Sequence, residues 1–231
     1  MLKARRKITH KEMKKDKLVT AYFESKDWYS KPENKRKITI GAGIVLLLVV
    51  VVFFYVSNRK AKSEEAETKQ SAVITLYDAG KYQEAINGDP AANILGLNQI
   101  VSQYGGTESG QTAKLYLGNS LYSLKDYDNA MKQFEDYSGK SDIIKSSCIS
   151  GVGSVYEAKG DLKKAAEYYE KASKINKDVV LNQENLFYAI RAYTQAGDKE
   201  NAKKVYASLK ELYPKSKYIA ESKRFEVEFK N

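Results

Sequence analysis

The chain is poor in the residues most often used for chemistry. Its 231 residues include one histidine, His10, and one cysteine, Cys148. A single thiol excludes an intramolecular disulfide and a cysteine-based metal site, and Cys148 reads as a small packing residue in a helix. His10 sits in a lysine-rich leading segment and reads as a solvated bystander. No cysteine closely follows the apolar run described below, so a lipoprotein signal is excluded. No Walker loop, GxSxG elbow or HExxH motif occurs, and acidic pairs such as Glu64-Glu65 read as solvated helix charges. The sequence therefore predicts no catalytic residue, no metal, no cofactor and a non-enzymatic role. Prolines are also scarce: Pro32, Pro90 and Pro214 each fall at an expected helix boundary.

What is present is one long apolar run. Ile38 to Val56, ITIGAGIVLLLVVVVFFYV, holds nineteen residues without a charge, Asn, Gln or Pro. At roughly 1.5 Å per residue, such a helix crosses a hydrocarbon core about 30 Å thick. A core helix needs a polar face in a chain of this size. A cleaved signal has a shorter apolar core followed by small residues, whereas this run exits through Phe53, Phe54, Tyr55, Val56, Ser57, Asn58 and Arg59. An uncleaved anchor over residues 38–57 is expected, with the aromatic exit at a membrane interface.

Charge predicts the orientation. Residues 1–37 carry 13 Lys/Arg against 5 Asp/Glu, a net of +8, and the remainder carries 26 against 24. Lys and Arg are retained on the cytoplasmic side, so residues 1–37 read as a cytoplasmic tail and the large domain as extracytoplasmic. The sequence pI near 9.3 reflects the tail, and no nucleic-acid partner is expected for the domain. MLKARRKIT reads as a disordered arm. From His10 to Tyr29 a helix is expected, with Leu18, Tyr22, Ser25 and Tyr29 on one stripe, ending before Pro32. Three readings of this helix stand: a positive-inside anchor, a segment docked on an anionic leaflet, or a site for a cytoplasmic protein or RNA. Residues 58–71 read as a polar stalk, either extending the membrane helix or disordered.

Beyond the stalk the chain repeats. Leu117-Gly118 is followed by Tyr127, Ala130 and Phe134; Val152-Gly153 by Tyr156, Gly160, Ala165, Tyr169 and Ala172; Tyr193 by Gly197, Ala202, Tyr206 and Pro214. Ala130, Ala165 and Ala202 are 35 and 37 residues apart, and each precedes an aromatic by four. This is the tetratricopeptide pattern, a helix–turn–helix of about 34 residues. The small residue lets two helices approach, and the aromatic fills the space between one hairpin and the next. Leu124-Lys125-Asp126-Tyr127, Ala158-Lys159-Gly160-Asp161 and Ala196-Gly197-Asp198 read as the turns, with Gly at positive φ and Asp capping the following helix.

The first unit is irregular. Leu76 to Ala85 reads as a helix end, a turn and a new helix, which Asn87-Gly88-Asp89-Pro90 then breaks. Ala91 to Tyr104 is expected to be helical, with Ile94, Leu97, Ile100 and Val101 inward. Pro214 to Lys230 reads as a closing helix, Tyr218, Ile219, Phe225 and Phe229 facing the array, as solenoids require. The expected fold is all-α: a tetratricopeptide-like helical hairpin solenoid over residues 72–231 on a single N-terminal transmembrane helix.

This order of parts resembles a bacterial group that includes the ancillary subunit of the Sec translocon. Tyr104-Gly105-Gly106-Thr107-Glu108-Ser109-Gly110-Gln111-Thr112-Ala113 is similar to that group's link between its irregular first unit and the regular ones. The resemblance implies an inner-membrane protein with a periplasmic repeat domain, acting as a chaperone-like or scaffold module beside the Sec translocon. Its implied partners are unfolded or nascent chains, or a periplasmic chaperone. Tyr213-Pro214-Lys215-Ser216 also resembles repeats of outer-membrane assembly and division-coordination proteins, so a scaffold in such an envelope complex is the alternative.

First helices line the concave face of such a solenoid. The expected protein-binding groove therefore comprises Asn119 and Tyr122, then Ser154 and Glu157, then Phe187, Arg191 and Thr194. A clamp for C-terminal carboxylates is not expected, because its positions fall on Leu115, Asn119, Gly151, Glu184 and Tyr188 and only Asn119 agrees. Eighteen tyrosines supply adaptable amphipathic contact area.

Overall fold

The computed structural model describes residues 17–230, which are helical almost throughout. The elements are α1 (Lys17–Ser30), α2 (Pro32–Asp78), α3 (Tyr82–Asn87), β1 (Gly88–Asp89), β2 (Ile94–Leu95), α4 (Leu97–Tyr104), α5 (Glu108–Ser123), α6 (Tyr127–Glu135), α7 (Asp142–Ala158), α8 (Leu162–Ser173), α9 (Asn182–Gln195), α10 (Lys199–Leu212) and α11 (Lys217–Lys230). One compact unit ends at Asn58 and a second begins at Arg59.

The first unit holds α1 and the leading part of α2. Ser30 ends α1 and Pro32 opens α2, where its missing N–H costs nothing. Residues 10–16 of the expected tail helix, His10 included, lie outside the described residues. Every side chain from Ile44 to Val56 is exposed, and the most apolar stretch of α2 is covered by nothing among the described residues. An uncovered apolar cylinder of this length is far larger than water-soluble monomers expose.

The second unit begins earlier than a free stalk allows. α2 runs on to Asp78, and Ala66, Gln70, Val73 and Leu76 are buried in the core of the first repeat-like unit. Residues 59–71 are polar overall, but Ala66, Gln70, Val73 and Tyr77 recur at helical spacing and give one face to the core. Residues 58–71 thus extend α2, one of the two expectations for the stalk, and bury Ala66 and Gln70 as they do so. Arg59 Nη2 donates to Gly106 O at 3.1 Å, tying that helix to the link before α5.

Four turns share one geometry. Gly80, Lys125, Gly160 and Gly197 have φ of 72°, 65°, 83° and 74°. In each the N–H of that residue bonds three residues back and the next N–H bonds five back, as Gly160 to Glu157 O and Asp161 to Tyr156 O (both 3.0 Å). These are Schellman closures. Asp126, Asp161 and Asp198 then cap α6, α8 and α10 by accepting from Asn129, Lys164 and Asn201 N–H. Lys81, in the same place before α3, makes no side-chain cap.

The helix expected over Ala91–Tyr104 is shorter. Gly88–Asp89 pairs antiparallel with Ile94–Leu95, and α4 starts only at Leu97. Asp89 Oδ1 accepts from the N–H groups of Ala91 and Ala92 at 3.0 and 3.2 Å, which diverts the chain into a turn. Leu97 and Ile100 are fully buried, while Ile94 and Val101 only pack against that core. The second helix of the first unit is therefore split into α3 and α4.

Between regular hairpins the aromatic on each second helix is the filler. Phe134 (α6) lies against Gly118 of its own hairpin and Gly151 of the next, and Tyr169 (α8) lies against Gly153. Buried polar groups tie the layers as well: Ser146 Oγ donates to Ala172 O and accepts from Asn185 Nδ2, each at 3.0 Å. α11 closes the array with Phe225 buried and Tyr218 and Ile219 packed beside it. Lys217, Glu221 and Lys223 face water and Glu226 is half-buried; the side chain of Phe229 lies outside the described residues.

Candidate protein-binding groove

The repeat places α5, α7 and α9 as successive first helices, and the groove is read from what their side chains touch. Burial raises the Tyr77 phenol, and the Asn119 side chain of α5 partly offsets that shift. Tyr77 also meets Tyr116 edge-on at 5.0 Å and Tyr82 at 5.6 Å. One turn on from Asn119, Tyr122 is half-buried against Tyr127 at 5.5 Å. Burial raises the Tyr122 phenol, and the charges of Glu157 and Arg191, from the next two hairpins, both act on it.

On α7, Ser154 Oγ donates to Ser150 O at 3.2 Å and accepts from the Tyr169 hydroxyl at 3.1 Å. Glu157 accepts from that same hydroxyl at 2.6 Å. Its two carboxylate oxygens also accept from Arg191 Nη2 of α9, at 2.8 and 2.9 Å. The two side chains are 26% and 27% exposed, so the pair is too sheltered to be an ordinary surface ion pair and too wet to be a buried one. The Arg191 guanidinium lies 5.0 Å from the ring centre of Tyr188, whose hydroxyl donates to Glu184 at 2.7 Å.

Two expected groove residues lie elsewhere. Phe187 is 6% exposed, stacked on Tyr218 of α11 at 5.3 Å and near Phe225 at 6.2 Å. Thr194 is buried, its hydroxyl donating to Ile190 O at 2.8 Å. Phe187, Ile190 and Thr194 form one stripe of α9 and Glu184, Tyr188 and Arg191 the neighbouring one. The closing helix packs on the first stripe, and its Tyr218 also reaches Glu184 and Tyr188 at the edge of the second. Tyr188 and Glu184 on the second stripe, and Tyr77 and Tyr116 near Asn119, neighbour the expected groove residues but are not among them.

Models of the tetratricopeptide repeat match residues 112–140, 151–179 and 184–216. These are tetratricopeptide repeats. The three matches follow the hairpins α5–α6, α7–α8 and α9–α10, and tetratricopeptide repeats are protein-binding modules. Within the second repeat, Cys148 is 1% exposed and its thiol is pushed up to about 12 by burial. It lines a cleft of 230 Å³ with Phe134, Tyr137 and Tyr168, but a thiol so hard to ionise is a packing group.

The repeat tyrosines also set an alkaline limit. Burial raises Tyr169, Tyr188 and Tyr193, and the neighbouring carboxylates of Glu157, Glu184 and Glu170 raise them further. Their folded pKa values lie above the unfolded value of about 10. The stability they carry is therefore complete below about pH 10 and falls as pH rises beyond it. Melting temperature is expected to drop above that pH, and Tyr169→Phe is expected to flatten the drop. An identical slope in the variant would contradict the assignment.

Proposed function

We propose that the protein is a single-span inner-membrane protein whose repeat domain stands in the periplasm and holds extended, unfolded polypeptide beside the Sec translocon. The observation that carries this reading is the wall of α5, α7 and α9, where Tyr122, Glu157, Arg191 and Tyr188 interact from three consecutive repeats. Aromatic faces and a sheltered ion pair suit backbone and mixed side chains without selecting one sequence. The Arg191 guanidinium is held by Glu157 through Nη2, which suits a mixed polar surface better than a dedicated carboxylate clamp. The span reading rests on the exposed apolar surface of α2, and the orientation on the basic excess of residues 1–37.

The test is a photo-crosslinking amino acid at position 122 in intact spheroplasts, followed by protease added outside. A smear of many adducts, all sensitive to the protease, is the expected result. One defined adduct would replace the client-binding reading with a fixed envelope scaffold, and protected adducts would reverse the orientation.

A further inference from the structure

We infer that α1 is an interfacial helix, lying in the headgroup layer of an anionic lipid surface at the basic end of α2. The inference rests on α2 being a span, and three observations support it.

The first is composition against exposure. Tyr22, Phe23, Trp28 and Tyr29 are 62%, 49%, 51% and 56% exposed, a density of uncovered aromatic rings that water does not favour. Tyr22 and Tyr29, seven residues apart, share one stripe, while Phe23 stands beside Asp27 and Trp28 beside Glu24, so the rings surround α1 and each has a polar neighbour. Amphipathic rings of this kind concentrate at membrane–water boundaries.

The second is charge. Of the 13 Lys/Arg in residues 1–37, eleven bracket α1 and two, Lys17 and Lys26, lie within it, against 5 acidic residues, and Lys31, Lys35, Arg36 and Lys37 stand where α2 begins. A basic segment beside a span is attracted to anionic headgroups, and the attraction fades within a Debye length. The third is continuity, because the joint between α1 and α2 is built. Pro32 has no N–H to offer the carbonyl of Trp28. Asn34, 8% exposed, fills the place: its Nδ2 donates to Trp28 O at 2.7 Å. The N–H groups of Asn34 and Lys35 both bond Lys31 O, and Lys35 Nζ sits 6.0 Å from the Tyr29 ring centre. The joint therefore holds the end of α1 at the level where α2 enters the bilayer.

Trp28 is the only tryptophan of the chain, so its emission reports on α1 alone. The experiment places the full chain in nanodiscs of phosphatidylglycerol and phosphatidylcholine, with bromine atoms high on the acyl chains in one set. A second variant, Trp28→Phe with Phe53→Trp, moves the probe into α2. The expected result is blue-shifted Trp28 emission that bromine quenches, with less quenching when phosphatidylglycerol is omitted. Water-like, unquenched Trp28 emission, with the probe at position 53 quenched, would overturn the inference and leave the span intact. Blue-shifted but unquenched Trp28 emission would also overturn it, pointing to a protein cover instead of lipid. If neither probe is quenched, the span reading falls and the inference with it.

Discussion

Phe134→Ala is expected to destabilise the repeat domain by about 3–5 kcal/mol, the range for emptying a buried aromatic site. The ring is 3% exposed and serves two hairpins at once. A Cβ built on Gly118 lies 2.5 Å from it and one built on Gly151 lies 2.7 Å away, on the next first helix. Both helices have given up their side chains to admit the ring. Truncation leaves a void across the boundary between two repeats, where the stacked array has no other source of cohesion than its neighbours. The same geometry sets a coupling. With Gly118→Ala alone the ring can lean toward Gly151, and with Gly151→Ala alone it can lean back. The double variant closes both escapes, and its loss is expected to exceed the sum of the single losses. Thermal and urea unfolding of the full chain in detergent, followed by circular dichroism, measures all four proteins. A loss below about 1 kcal/mol for Phe134→Ala, or strict additivity of the two glycine changes, would contradict this packing.

The features that were legible in the sequence are those with a local cause. Asp126, Asp161 and Asp198 each follow a helix end by three residues, and each caps as its type and position dictate. Ala130, Ala165 and Ala202, each four before an aromatic, are all fully buried. What could not be read is decided by tertiary contact. Residues 59–71 look like a solvated stalk because most of them are polar, and only packing against α3, α4 and α5 reveals that Ala66 and Gln70 belong to a core. Ile94 and Leu95 carry good helix-core residues, yet the Asp89 turn and the pairing with Gly88–Asp89 claim them first. The groove shows the same division. Glu157 and Arg191 meet between α7 and α9, but Phe187 is buried by the closing helix, whose docking face no periodicity states. Tyr188, one residue away, takes its place on the neighbouring stripe.

That exchange defines the second large effect, on binding. Tyr122 and Tyr188 come from the first and third repeats and flank the Glu157–Arg191 pair. Both rings are half-buried, so each has a supported edge and a free face. Anchors of this type dominate recognition because they offer large area at little entropic cost, and truncating two of them removes about 1–3 kcal/mol of binding free energy. Both rings pack at the edge of a core and neither lies at its centre, so secondary structure is expected to survive. Phe187→Ala is the informative contrast, because it empties the seam with Tyr218 and Phe225 and acts on stability. The deciding measurement is the affinity of the full chain, in detergent, for a reduced and permanently unfolded polypeptide, taken alongside the melting temperature of the same samples. For the Tyr122→Ala, Tyr188→Ala double variant, the account predicts affinity weakened by roughly 5- to 150-fold with a melting temperature lowered less than by Phe187→Ala. Unaltered affinity at unaltered stability would show that this wall is not where the protein binds.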